Sequence, residues 1–162
     1  MSKSKSPVLF HFLSKCTLPR RGALKSFIRS VFEKERRSLE SVTIIFCDDH
    51  HLLNLNRIFL QHDYFTDILS FPLSSPHKPL IAEIYISIDR VRENSKNLKT
   101  SFQEELHRVI FHGILHFCGY KDKTASEIKK MRSMEDRWLK VYFKPQVQKL
   151  RSKPSIKVRN VV

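Results

Sequence analysis

The sequence predicts an α+β fold: one mixed sheet of about four strands packed with helices, with a central helix that carries two histidines. Three observations lead there. β-Branched and apolar runs at 41–47, 66–72 and 80–88 read as strands among segments of helical period. These strands and helices do not alternate strictly, so a purely parallel sheet is not expected. The chain has 162 residues, 41% hydrophobic and 28% charged, enough for one core and too few for two.

The elements follow in order. Residues 19–37 read as a helix, with Pro19 in the first turn and Leu24, Phe27, Ile28, Val31 and Phe32 at three-and-four spacing. SVTIIFC (41–47) reads as a strand. Asp48 or Asp49 then caps a helix running to about Leu60, with Leu52, Leu55 and Phe59 on one face. TDILSFP (66–72) is a short strand stopped by Pro72. In LIAEIYISI (80–88), Ile84, Ile86 and Ile88 alternate with Glu83, Tyr85 and Ser87. The polar stretch DRVRENSKNLK reads as an exposed helix. Ser101 and Glu104 form a capping box for a helix over 102–118, and Gly119 stands where a glycine ends it. Thr124 and Glu127 form a second box, opening a helix to about Phe143. Residues 1–143 are read as one domain with a basic N-terminal helix. The tail, 144–162, has two prolines and no helical period and is expected to be disordered.

Charge is concentrated at the two ends. Lys and Arg number 30 against 16 Asp and Glu, a formal net charge of +14. Residues 1–37 carry ten basic and two acidic side chains; residues 144–162 carry six basic and none acidic; the middle is balanced. Such arms suit a polyanion, and the alternative is a solvated tail. No apolar run approaches the roughly 20 residues of a membrane helix. His11 interrupts the short apolar patch near the start, and no small-residue cleavage site follows, so no secretory signal is read. Cys16, Cys47 and Cys118 are odd in number and far apart, which argues against a disulfide framework and for a cytoplasmic setting.

The chemistry sits on the helix LHRVIFHGILHFC. His112 and His116 are four apart, so one helical turn puts both imidazoles on one face, where they can share a metal ion. Two core histidines with separate partners are the alternative. Gly119 allows the chain to reverse, so that Asp122 can supply a third ligand; the alternative for Asp122 is a cap before Thr124. Two nitrogens and one carboxylate oxygen suit one zinc ion with a fourth position open. In H-E-x-x-H peptidases a glutamate base follows the first histidine. Here that place is Gly113, which disfavours peptide hydrolysis. The missing side chain is read as space for substrate or another backbone to approach the metal. His107 lies about 140° round the helix from His112 and is excluded as a ligand. His62 is a candidate to line the site. Tyr64, Phe65 and Phe71 are candidates to stack on unpaired bases, with core packing the plainer role for Phe71.

HGILHFCGY resembles the signature H-G-x-L-H-x-x-G-Y-D-H of the YbeY family of bacterial single-strand-specific endoribonucleases. LNRIFLQHDYFTDILSFP (55–72) is similar to the family's L-N-x-x-Y-R-x-K-D-x-x-T-D-V-L-S-F-P, and IAEIYIS (81–87) to its G-D-I-x-I segment. The resemblance implies a mixed α/β fold, a zinc ion held by three side chains, and hydrolysis of single-stranded RNA. It also implies a place in maturation of the 3′ end of small-subunit ribosomal RNA and in ribosome quality control, with small-subunit ribosomal proteins as partners. The motif's third histidine aligns with Asp122 and its aspartate with Lys121. An arginine proposed to bind phosphate in the family aligns with Leu60, and Arg57, three residues earlier on the same helix, is the expected substitute. His112 and Arg57 are therefore the catalytic candidates, and His112, His116 and Asp122 the metal ligands. The competing reading is a non-catalytic RNA-binding ribosome-assembly factor with a structural metal.

Overall fold

The computed structural model describes residues 7–151, with side chains described through Lys144. Four strands and five helices follow one another as β1 (Val8–Phe12), α1 (Arg21–Lys34), β2 (Leu39–Cys47), α2 (Asp49–Leu60), β3 (Ile68–Pro72), β4 (Leu80–Ser87), α3 (Ile88–Asn97), α4 (Phe102–Phe117) and α5 (Ala125–Arg151). The sheet order is β1-β2-β4-β3. β1 and β4 pair parallel to β2, and β3 closes the other edge antiparallel to β4, so the sheet is mixed as expected. The fourth strand, β1, lies in the short apolar patch around His11; its five residues acquire their role only by pairing with Val42–Phe46.

Alternation along the strands builds two unequal cores. Val42, Ile44, Phe46, Ala82, Ile84 and Ile86 face α4, and α1 and α5 pack around that helix. Cys47, Leu69 and Leu52 form a smaller cluster, where α2 covers the opposite face. Buried Leu106, Ile110, Ile114 and Leu115 make α4 the central helix.

The caps act largely as read. Ser101 Oγ accepts from Glu104 N at 3.0 Å, and Gly119 takes φ +98° just past α4. Thr124 Oγ1 accepts from Glu127 N, while Glu127 Oε2 accepts from the Thr124 and Lys123 amides. Asp48, not Asp49, caps α2, accepting from His51 N at 2.8 Å.

Several boundaries differ from the sequence reading. Pro19 lies outside α1, because Arg20 adopts a left-handed conformation and the helix starts at Arg21. β4 stops at Ser87, whose hydroxyl caps α3, so Ile88 is helical. α5 continues past Phe143 and Pro145 to Arg151; a proline removes one donor but does not have to end a helix. The remainder of the tail expected to be disordered, 152–162, lies outside the described residues. Gly113 does not open towards the metal either. A Cβ there would meet Ile68 Cδ1 at 2.8 Å and Ile84 Cδ1 at 3.2 Å, so glycine lets α4 lie close against the sheet.

Candidate metal centre

α4 brings His112 and His116 together at its C-terminal end, and the turn at Gly119 returns Asp122 to them. His112 Nε2 and His116 Nε2 are 2.9 Å apart, and Asp122 Oδ2 lies 3.3 and 3.2 Å from them. Tetrahedral zinc ligands at about 2.0–2.1 Å from the ion are separated from each other by about 3.3 Å. The three donors thus stand at the spacing a single ion requires, and the group can hold a metal. The capping alternative for Asp122 is not realised: Thr124 and Glu127 cap α5.

The far side of each ring is tied down. His112 Nδ1 donates to Glu135 Oε1 at 2.6 Å, and His116 Nδ1 donates to the Tyr120 carbonyl at 2.9 Å. With both Nδ1 protons engaged, the Nε2 lone pairs face one another and Asp122. Two lone pairs and a carboxylate repel without a cation between them; that donor chemistry fits a metal. Burial works against protonation of His112, but the Glu135 bond and the charges of Glu135, Asp122 and Asp67 outweigh it and raise its pKa.

His112, Asp122 and Glu135 line a cleft of about 470 Å³, shared with Asp67, Glu105 and Arg108. Burial raises the pKa values of Asp67 and Glu105, and Glu105 Oε2 has no hydrogen-bond partner. Arg108 Nη1 reaches Asp136 at 2.8 Å and Glu135 at 3.3 Å. Arg108 was not among the residues the sequence singled out, though it stands four residues before His112 and continues the same helical stripe. Glu135 was not among them either, and no local signal connects α5 to His112.

The other candidates lie elsewhere. Arg57 pairs with Asp63 on the surface and is not among the residues lining the cleft. His62 stacks on Tyr64 and is likewise absent from the lining. Tyr64 and Phe65 are exposed, while Phe71 packs between Phe59 and Tyr85. His107 is buried, donates from Nδ1 to the Gln103 carbonyl and stacks on Tyr142, and it is not part of the His112–His116–Asp122 group.

A family model described as endoribonuclease YbeY matches residues 17–142. The chain belongs to the YbeY family. Among its relatives, the endoribonuclease YbeY of Cytophaga hutchinsonii is 43% identical over 119 residues, 74% of this chain and 83% of that protein. That of Flavobacterium psychrophilum is 46% identical over 117 residues, 72% of this chain and 83% of that one. A Thermotoga maritima protein of known solution structure shares the fold, with a TM-score of 0.57 at 24% identity over 93% of this chain and all of that one. The YbeY match spans every residue of the metal centre, including Glu135. Among the described residues, no helix is long and apolar enough to cross a membrane.

Proposed function

We propose that this chain is a zinc-dependent endoribonuclease that cleaves single-stranded RNA, with small-subunit ribosomal RNA, at its 3′ end, as the natural substrate. Maturation and quality control of ribosomes, contact with small-subunit ribosomal proteins and a cytoplasmic location follow from the same reading. Its main support is the three-donor centre, with His112 and His116 oriented through their Nδ1 atoms and with Asp122 beside them. Membership of a family whose curated members are named endoribonucleases supports RNA as the substrate.

Held by His112, His116 and Asp122, a zinc ion would supply a water of lowered pKa, about 7, and positive charge to stabilise the phosphoryl group. The chain's own residues do the rest. Glu135 and the Tyr120 carbonyl hold the two rings in the tautomer that leaves Nε2 free. Asp122 offsets part of the cation's charge. Arg108, in the wall of the cleft, lies beside the phosphodiester's path. Arg57 supplies a second phosphate contact from the α2 surface, because an exposed pair such as Arg57–Asp63 is worth only about 0–1 kcal/mol and yields to phosphate.

The test is cleavage of an end-labelled single-stranded RNA, and of its duplex, by zinc-loaded protein. The single strand alone is cut, and His112→Ala abolishes cutting while RNA is still bound. Arg57→Ala weakens RNA binding or cleavage; if it changes neither, Arg57 has no role. One observation favours the second reading, an assembly factor with a structural metal: Leu60 occupies the position where the family carries arginine. Zinc-loaded protein that binds the strand but cuts it no faster than His116→Ala would decide for that reading.

A further inference from the structure

A cavity of about 530 Å³, sharing no lining residue with the cleft of the metal centre, is walled by Phe12, Lys15, Thr17, Arg21, Arg92 and Phe102 among others. Three cations and two aromatic rings meet there, and no carboxylate lines it. The wall is assembled from distant parts of the chain: the carboxyl end of β1 and the loop after it, the first residue of α1, and the α3–α4 hairpin. The loop is held in place. Leu13 and Ser14 donate to the Phe46 carbonyl at 2.9 and 3.1 Å, and Gln103 Nε2 donates to the Thr17 carbonyl at 2.6 Å.

The cations are available. Among the described residues no ion pair engages Lys15 or Arg21, and Arg92 reaches only Asp89, at 4.0 Å, with both side chains about half exposed. Such a contact holds Arg92 weakly. The Arg21 guanidinium lies 4.2 Å from the centre of the Phe12 ring, and that of Arg92 lies 5.6 Å from the Phe102 ring. α1 begins at Arg21 with no acidic residue in its first turn and no side-chain cap, so nothing local offsets the positive end of that helix.

Position adds to composition. The cavity sits at the carboxyl end of a parallel strand, the end at which open α/β sheets bind ligands. α4 leads from Phe102 in this wall to His112, about 15 Å along the helix at 1.5 Å per residue. One strand of RNA can therefore occupy both places.

We propose that this cavity is a second subsite for the single-stranded substrate, holding one nucleotide remote from the scissile bond. Its phosphate lies among Lys15, Arg21 and Arg92, and its unpaired base stacks on the Phe12–Arg21 and Phe102–Arg92 pairs. Guanidinium planes and aromatic faces are the surfaces on which splayed bases stack. An acidic peptide would use the cations and bring no flat ring to stack on the two guanidinium–aromatic pairs. This subsite rests on the RNA-cleaving reading above.

The test measures binding of a nuclease-resistant phosphorothioate 2′-O-methyl RNA dodecamer to the full, zinc-loaded chain by fluorescence anisotropy across a salt series. Arg21→Ala/Arg92→Ala leaves only Lys15 at that one phosphate, and the plot of log affinity against log salt becomes shallower by up to about 0.7, the slope for one phosphate on a single strand. Lys129→Ala/Lys140→Ala, which removes two exposed charges on α5, keeps the wild-type slope. Phe12→Leu/Phe102→Leu keeps the charge and the slope but weakens binding by about fivefold or more. Equal slopes for the two double-alanine variants would overturn the subsite and leave the nuclease reading standing. Full affinity in the Phe12→Leu/Phe102→Leu variant, or displacement of the RNA by polyglutamate as readily as by unlabelled RNA, would also overturn it. A wild-type chain with no affinity for the dodecamer at low salt would overturn both readings.

Discussion

Glu135→Gln tests the logic of the metal centre most directly. Glu135 is 6% exposed at its side chain and serves two donors: Oε1 accepts from His112 Nδ1 at 2.6 Å and Oε2 from Arg108 Nη1 at 3.3 Å. A glutamine has the same shape but only one acceptor oxygen. If its oxygen faces His112, its amide donors face the Arg108 guanidinium. If it flips, its amide faces His112 Nδ1 and favours the tautomer with the proton on Nε2, where the metal must bind. A hydrogen bond to a charged group contributes about 1.5–3 kcal/mol and a neutral one about 0.5–1.5. The substitution therefore costs about 1–1.5 kcal/mol at the ligand, and about 1.4 kcal/mol is tenfold in affinity. Measured losses for partners of metal-bound histidines run from about 10- to 100-fold. Zinc affinity, read by competition with a chromogenic chelator, is expected to fall by about tenfold, where the two ranges meet. Arg108 keeps its 2.8 Å bond to Asp136, so the fold survives, which circular dichroism checks. Zinc affinity within threefold of wild type, in a folded variant, would refute the claim that Glu135 orients His112 for the metal.

Two further predictions concern the fold beneath the site. Burial lowers the His107 pKa below 6.5, so below that pH the unfolded chain takes up a proton that the folded chain refuses. This contribution to stability is complete above the unfolded value and is lost as pH falls from about 6.5 towards the folded pKa, at up to about 1.36 kcal/mol per pH unit. Urea titrations should show a smaller loss of stability for His107→Phe than for wild type between neutral pH and pH 5; parallel losses would refute it. Gly113→Val places a branched side chain where even a Cβ meets Ile68 Cδ1 at 2.8 Å and the Ile84 side chain at 3.2 Å. Ile84 is fully buried on a central strand, and overpacking of this kind costs about 1–3 kcal/mol. That exceeds any gain in helix propensity, roughly 0.5 kcal/mol. A drop in Tm is expected, and a variant as stable as wild type would show that α4 does not lie as close to the sheet as described.

What the sequence alone determined is local. The Ser101 cap, the Thr124–Glu127 capping box, the Gly119 turn and the Asp48 cap each involve residues a few positions apart, so their chemistry is complete within one turn of chain. The same holds for the grouping of the candidate ligands: His112 and His116 share a face because a helix repeats every 3.6 residues, and Asp122 is returned by a short reversal. A helical period and three strands were enough to read an α+β class with a mixed sheet. What lay outside local reach is just as specific. β1 is a strand only because Val42–Phe46 accepts it. Gly113, read as an opening to the metal, is instead a contact with Ile68 and Ile84, which arrive from two other strands. Glu135 reaches His112 across 23 positions, and the cavity at Phe12 gathers residues as far along as Phe102. Only tertiary structure could decide these, because a side chain's partner across the fold depends on how whole elements pack. Hydrophobic periodicity states that a helix has a buried face, but not which residue of which other element will meet it.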